Sequence, residues 1–333
     1  MKENFLRVVA AVLLGLVIPG VVIRLCKVEN PILSGTQEEN STGSTQVLEY
    51  SRHGIWVLLS DGTTQWMDMD SYLTGVILAE MPTSYDHQAL CAQAVVARTY
   101  VLRRQGEGRH PQGAVCTDHG CCQAYISESD YLSGMGYKED VTIAKSAVDA
   151  TKNMVLTYDG QIIEATYFHC AGGRTEDAVA VWGVDYPYLQ AVDSPGEEEM
   201  DHYTARVFFD REQLESLLDR TLPGAPASWI GRTSYTAGGG VEKIVFAGIQ
   251  YSGTQFRSLL KLNSTAFSLE AEAEGLWITT LGKGHRVGMS QNGAQAMALQ
   301  GLSWQDILMH YYPGTRIDKM EDVGYNTSKI SEE

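Results

Sequence analysis

The chain has 333 residues, of which 44% are hydrophobic and 20% charged. That is enough for one large buried core or two smaller ones, and it excludes a disordered or fibrous chain. With 41 acidic against 25 basic residues, a formal charge of −16 and no basic run, it is not built to bind nucleic acid by neutralising phosphates.

Residues 1–30 read as a membrane anchor. Lys2 and Arg7 precede an apolar run from Val8 to Ile23, and Arg24 and Lys27 follow it. The sixteen residues of that run span roughly 24 Å at about 1.5 Å each. This is slightly short of a bilayer core, a gap that arginine snorkelling closes. A cleaved signal peptide is the alternative, but no small-x-small cleavage site follows Ile23. A single-pass anchor puts everything beyond residue 30 outside the cytoplasm. Residues 31–50 are polar and read as a flexible tether.

Alternating hydrophobicity from Ile55, with Asp61-Gly62 inside it, predicts a hairpin. Asp70 or Ser71 then caps a short helix that delivers Glu80 just before Pro82. Asp86 caps a long helix running to Gln105, with Leu90, Ala94, Ala97 and Val101 on one face. A Gly-rich loop follows, then a helix over 137–151 and a second hairpin centred on Asp159-Gly160. Phe208 to Leu217 reads as a modest helix, and the two segments 244–253 and 256–263 as strands. Gly-rich sequence near 282 opens a helix from Ser290, and a last helix lies near Trp304–Tyr312. Residues 51–316 are expected to form one α+β domain of short strands and segregated helices, and 317–333 a loose acidic tail.

Three clusters carry possible chemistry. Glu80 is a lone carboxylate among apolar neighbours at a turn, although a helix-end charge is the plainer reading. His110, Cys116, His119, Cys121 and Cys122 fall within thirteen residues. A tetrahedral zinc could take His110, Cys116, Cys121 and Cys122, with His119 as a substitute for Cys121. A Cys116–Cys121 disulfide is the alternative. The GKGHRVG stretch before Ser290 and Gln291 lacks the Walker Lys-Ser/Thr pair and the dinucleotide spacing, so it reads as groove lining rather than as a phosphate loop. No G-x-S-x-G elbow occurs, and His169 and Cys170 would diverge if they lie on a strand.

Several stretches together resemble one family: ILAEMP with ALCAQAVVARTYVL, then CTDHGCCQAY, then YFHCAGGRTEDAVAVWG, and finally GKGHRVGMSQNGAQAMALQG. They are similar, in order and spacing, to the stage II sporulation protein D (SpoIID) family of membrane-anchored lytic transglycosylases. The resemblance runs from about residue 52 to 316. It implies cleavage of the β-1,4 bond between N-acetylmuramic acid and N-acetylglucosamine in peptide-stripped peptidoglycan strands, during septal wall remodelling and forespore engulfment. By the same resemblance Glu80 is the catalytic acid/base, and Arg98, His169, His285, Ser290 and Gln291 bind substrate; for Arg98, orienting the catalytic loop or serving as a buried structural cation are the alternatives. Cys170 and Arg286 stand where the family usually has Ser and Gly. Clostridial members resemble the chain in a zinc-binding Cys/His cluster, which implies zinc on His110, Cys116, Cys121 and Cys122. The implied partners are a SpoIIP-like amidase and a SpoIIM-like membrane protein. A noncatalytic glycan-binding scaffold or amidase enhancer is the alternative.

Overall fold

The computed structural model describes residues 54–105, 107–134 and 136–323. The anchor expected over 1–30, the tether over 31–50 and the chain beyond 323 lie outside the described residues. Among the described residues no helix is long and apolar enough to cross a membrane. The architecture is mixed α+β, with several small sheets and helices that do not alternate regularly with strands.

Strands β1 (Gly54–Leu58) and β2 (Thr64–Asp68) form the first hairpin, with Trp56 opposite Trp66. Helix α1 (Met69–Glu80) follows directly. Its cap is Asp68, whose carboxylate accepts from the Ser71 N–H at 3.0 Å; neither Asp70 nor Ser71 fills that position. Pro82 sets the other end. A residue before proline is pushed out of the helical region, and Met81 lies extended at φ −134°, ψ 142°. Glu80 is therefore the last helical residue. Helix α2 (His87–Gln105) starts where Asp86 accepts from the Gln88 N–H at 2.8 Å, and it is buried from Ala89 to Leu102.

Strand β3 (Val115–Cys116) joins β1 in parallel. Helices α3 (Glu128–Ser133) and α4 (Lys138–Ala150) lead to β4 (Met154–Tyr158) and β5 (Gln161–Ile162). Asp159 and Gly160 both adopt positive φ between them, as a tight hairpin with matching twist requires. Strand β6 (Tyr167–Phe168) and α5 (Ala178–Trp182) follow.

The chain then leaves this core to build a second one. It comprises β7 (Thr204–Asp210), α6 (Arg211–Leu218), β8 (Ile230–Tyr235), β9 (Val241–Phe246), β10 (Ile249–Ser252), α7 (Gly253–Leu260), β11 (Phe267–Ala271) and β12 (Gly275–Leu281). Phe256 is its centre, 5.2 Å from Phe246 and 5.3 Å from Phe267 between ring centroids. Two expectations are corrected here. Phe208 lies in β7, paired with Trp277 of β12, and the helix begins only after Asp210, which caps it with Gln213. The segment from Phe256 is not a strand. Ser252 and Gln255 form a capping box, and Gly253, Phe256 and Leu260 bury one helical face.

The chain returns to the first core through β13 (Met289–Ser290), parallel to β6, then α8 (Gln291–Leu299) and α9 (Trp304–Tyr311). Strand β14 (Arg316–Lys319) pairs with β4, and Met320 is buried beyond it. The loose tail expected from 317 thus begins as part of a sheet.

Candidate active site and metal centre

Glu80 sits at the C-terminal end of α1, where the helix dipole already disfavours negative charge. Its side chain is half-buried, and burial pushes its carboxyl above the ordinary value of 4.5. Three hydrogen-bonding groups oppose that shift, as does His119 through space. The Ala124 N–H donates to Glu80 Oε1 at 2.8 Å, and the Tyr167 hydroxyl and Gln291 amide also favour its charged form. Tyr167 is itself steered by Gln123, whose Oε1 accepts from the Tyr167 hydroxyl at 3.1 Å. Gly75, earlier on α1, lets the strand of backbone around Ala124 come this close. A Cβ there would lie 2.4 Å from the Ile126 carbonyl oxygen, and the Ile126 N–H donates to the Gly75 carbonyl.

Glu80 opens into a groove with a volume of about 980 Å³. Tyr167, Trp182 and Tyr186 give it aromatic faces, and His169, His285 and Gln291 also line it. Burial lowers both histidines to about 4, so they are neutral at ordinary pH. His285 packs edge-on against Phe168 at 5.5 Å and takes the Val287 N–H on Nδ1 at 3.1 Å. The groove's second carboxylate, Glu164, is tied to Arg104, which also lies 4.9 Å over the Tyr100 ring.

Arg98 and Ser290, predicted for the same groove, are elsewhere. Arg98 is 1% exposed and donates to the Thr151, Met154 and Val148 carbonyls at 2.8, 3.2 and 3.4 Å. It closes the C-terminal end of α4, where orphan carbonyls need donors. Ser290 is fully buried. It caps α8, accepting from the Gly293 N–H at 3.2 Å, and donates to Glu197. Cys170 is likewise buried and turned toward Glu197, its Sγ 3.7 Å from Oε2.

Glu197 is the centre of that buried network. It accepts from the Ala171 and Gly173 N–H groups, both at 3.2 Å, and from the Ser194 hydroxyl at 3.1 Å. It therefore holds the turn after His169 and the start of α8, the two segments that present His169 and Gln291.

Beside Glu80 lies the Cys/His cluster. The donor atoms of His110, Cys116, Cys121 and Cys122 all lie within 4.8 Å of one another. His110 Nε2 is 3.5 Å from Cys121 Sγ and 3.6 Å from Cys122 Sγ. A tetrahedral zinc with Zn–S of about 2.3 Å and Zn–N of about 2.05 Å separates sulfur from nitrogen by about 3.6 Å. The donor set and its spacing fit that ion. The cysteines are free thiols, with no Cys116–Cys121 bridge. His119 stays outside the cluster, its side chain 86% exposed next to Asp118. Ala124, the donor to Glu80, follows Cys122 by two residues, so the cluster loop and the carboxylate share one short piece of backbone.

The chain is 34% identical over 259 residues to stage II sporulation protein D of Bacillus subtilis (strain 168), covering 76% of this chain and 75% of that relative. It belongs to the stage II sporulation protein D family. The family described as SpoIID: Stage II sporulation protein matches by its sequence model over residues 61–158. That stretch of the SpoIID fold contains Glu80, Arg98 and all four cluster residues. The protein of the same name from Bacillus amyloliquefaciens is also 34% identical, over 268 residues, with 79% of this chain and 77% of the relative covered. A more distant similarity, 27% over 301 residues, is to the amidase enhancer of Bacillus subtilis (strain 168), covering 74% of this chain and 40% of that protein.

Sequence reasoning missed several residues of this SpoIID groove. Ala124 acts through its backbone, which no side-chain pattern reveals. Tyr167 and Gln123 are separated from Glu80 by 87 and 43 positions, and only the β6–β13 pairing and the α1–124 contact unite them. Glu197 stood in an acidic run, EEE, that reads as a solvated loop.

Proposed function

We propose that this SpoIID protein is a lytic transglycosylase acting on the bond between N-acetylmuramic acid and N-acetylglucosamine in peptidoglycan strands. The observation that carries the reading is the state of the groove's two carboxylates. Glu80 is raised by burial and faces the open groove, whereas Glu164 is engaged by Arg104. A glycosidase that uses water ordinarily needs two working carboxylates. A transglycosylase needs one, because the sugar supplies its own nucleophile.

In this mechanism Glu80, protonated on Oε2 while Oε1 holds the Ala124 N–H, gives its proton to the glycosidic oxygen as the C1–O bond breaks. The resulting carboxylate keeps the Ala124 N–H on Oε1, and the Tyr167 hydroxyl meets it by turning its one proton away from Gln123. It then takes the proton of the muramic C6 hydroxyl, whose oxygen closes on C1 to give the 1,6-anhydro ring. Neutral His169 and His285 shape the groove without competing for that proton, and Trp182 and Tyr186 offer faces to sugar rings. Zinc, held by His110, Cys116, Cys121 and Cys122, would supply structural cross-linking of the loop that carries Ala124. We place the activity at the membrane on the septal wall side, beside a SpoIIP-like amidase and a SpoIIM-like membrane protein.

The similarity to an amidase enhancer favours one other reading, a glycan-holding scaffold that promotes an amidase. Incubating the full-length protein, in detergent, with peptide-free glycan strands separates the two. The enzyme reading expects products ending in 1,6-anhydro-N-acetylmuramic acid by mass spectrometry. Intact strands, together with faster turnover of an added amidase, would establish the scaffold instead.

A further inference from the structure

Between Cys122 of the Cys/His cluster and Ala124, the backbone donor to Glu80, stands Gln123, whose side chain is 1% exposed. Its amide nitrogen reaches the Ala97 carbonyl on α2 and the Tyr72 hydroxyl on α1, both at 3.4 Å. Its amide oxygen accepts from the Tyr167 hydroxyl at 3.1 Å. Ala97 decides which way the amide lies. A carbonyl oxygen can only accept, so the amide NH2 has to face it, and a flipped amide would set two oxygens 3.4 Å apart. The Gln123 oxygen is thereby left facing Tyr167, its one hydrogen-bond donor among the described residues.

Tyr167 has a single proton and two acceptors for it. Gln123 is one, and Glu80 is the other. With the proton on Gln123, the Tyr167 oxygen turns lone pairs toward Glu80, which suits a protonated carboxyl and opposes a carboxylate. Once Glu80 ionises, the proton swings to it, and the Gln123 oxygen is left buried without a donor, a position that is costly in a site closed to water. Either way Gln123 works against the ionised acid.

We infer that Gln123 is a positioning residue: by holding the Tyr167 proton it favours the protonated, proton-donating form of Glu80. That this form is the working acid rests on the transglycosylase reading, whereas the hydrogen-bond switch does not. The ionisable groups around Glu80 and Tyr167 are Tyr72 on α1, Tyr100 on α2, His119 on the cluster loop and the Arg104–Glu164 pair across the groove. Of these and Tyr167, Tyr167 alone offers Glu80 a hydrogen bond, and the others are common to every variant below.

Gln123→Leu and Gln123→Met keep the side-chain volume and remove the amide oxygen. The first readout is a melting series across pH, taken for each full-length protein beside its own Glu80→Gln version. The difference between the two curves reads Glu80 ionisation whether or not the protein cleaves glycan. Either Gln123 variant should move that ionisation down by about one pH unit. The same substitution made in a Tyr167→Phe background should not move it, because the proton that Gln123 holds is gone. The second readout is the rate at which peptide-free strands gain anhydro ends, whose alkaline limb should fall by the same amount. The inference is overturned if the Gln123 variants leave the ionisation in place, raise it, or shift it equally with Tyr167→Phe present. Loss of rate alike at every pH, with the limb unmoved, would mark a merely structural role and overturn it too. A wild-type protein that cleaves no strands would remove the transglycosylase reading, and the melting series would still decide the switch.

Discussion

The two cores of this molecule are built differently, and they bring different things to the groove. The first packs the long helices α1 and α2 against α4, α8 and α9, and carries Glu80 and the Cys/His cluster. The second packs short strands and two capped helices around Phe256, and its contribution to the groove is a cation, Arg257. The lesson is a division of labour: the helical core holds Glu80 and the Cys/His cluster, and the strand-rich core adds a charged side chain to the groove's lining. One buried junction ties them. Arg286 donates to the Ala171 and Gly238 carbonyls at 2.8 and 2.9 Å and pairs with Glu176 at 3.2 Å. Glu176 in turn accepts from the Gly240 N–H and the Thr236 hydroxyl, in the turn between β8 and β9.

The sharpest way to break the division is at the Cys/His cluster of the first core. Cys116→Ser should drop bound zinc from about one equivalent to none and loosen the loop that holds Ala124 against Glu80, cutting turnover at least ten-fold. Metal analysis and glycan cleavage check this together. Next is the junction. Arg286→Ala leaves the Glu176 carboxylate buried without its partner, a change that costs about 3–5 kcal/mol. Thermal unfolding should then resolve two transitions in place of one. Within the second core, Phe256→Ala should cost about 3–4 kcal/mol through the cavity it leaves. It should weaken glycan binding more than it slows the chemical step.

The smallest effect is a gain. Because the folded protein raises the Glu80 carboxyl above 4.5, ionising it in the fold is disfavoured. The resulting cost is absent below pH 4.5, grows as pH rises, and is complete above the folded-state value. Glu80→Gln removes the charge, so it should raise the Tm by a few degrees at pH 7 and leave it unchanged near pH 4. A melting series across pH reads this directly.

How much of this could be read from the residues follows the same division. Apolar residues at helical spacing placed α2 and α4 to within a residue or two, and Pro82 pinned Glu80 at a helix end through the conformational demand it puts on Met81. The four zinc-competent side chains were legible because they are close in sequence, and the geometry chose Cys121 over His119. The second core was misread because its helices are two turns long. In so short a window, Phe256, Leu260 and Leu262 all fall on even positions and look like alternation, and only the Ser252–Gln255 cap reveals the helical period. Arg98 and Ser290 were assigned to the groove by motif alone. A motif does not say which way a side chain points, and both turn inward to satisfy backbone groups.

The central claim is that one carboxyl does the chemistry. Full-length wild-type and Glu80→Gln proteins, each shown folded by its melting curve, are incubated with peptide-free glycan strands, and the released ends are identified by mass spectrometry. The account predicts 1,6-anhydro-N-acetylmuramic ends from the wild type and at least a thousand-fold fewer from Glu80→Gln. A folded Glu80→Gln protein that still forms anhydro ends at a comparable rate would contradict it.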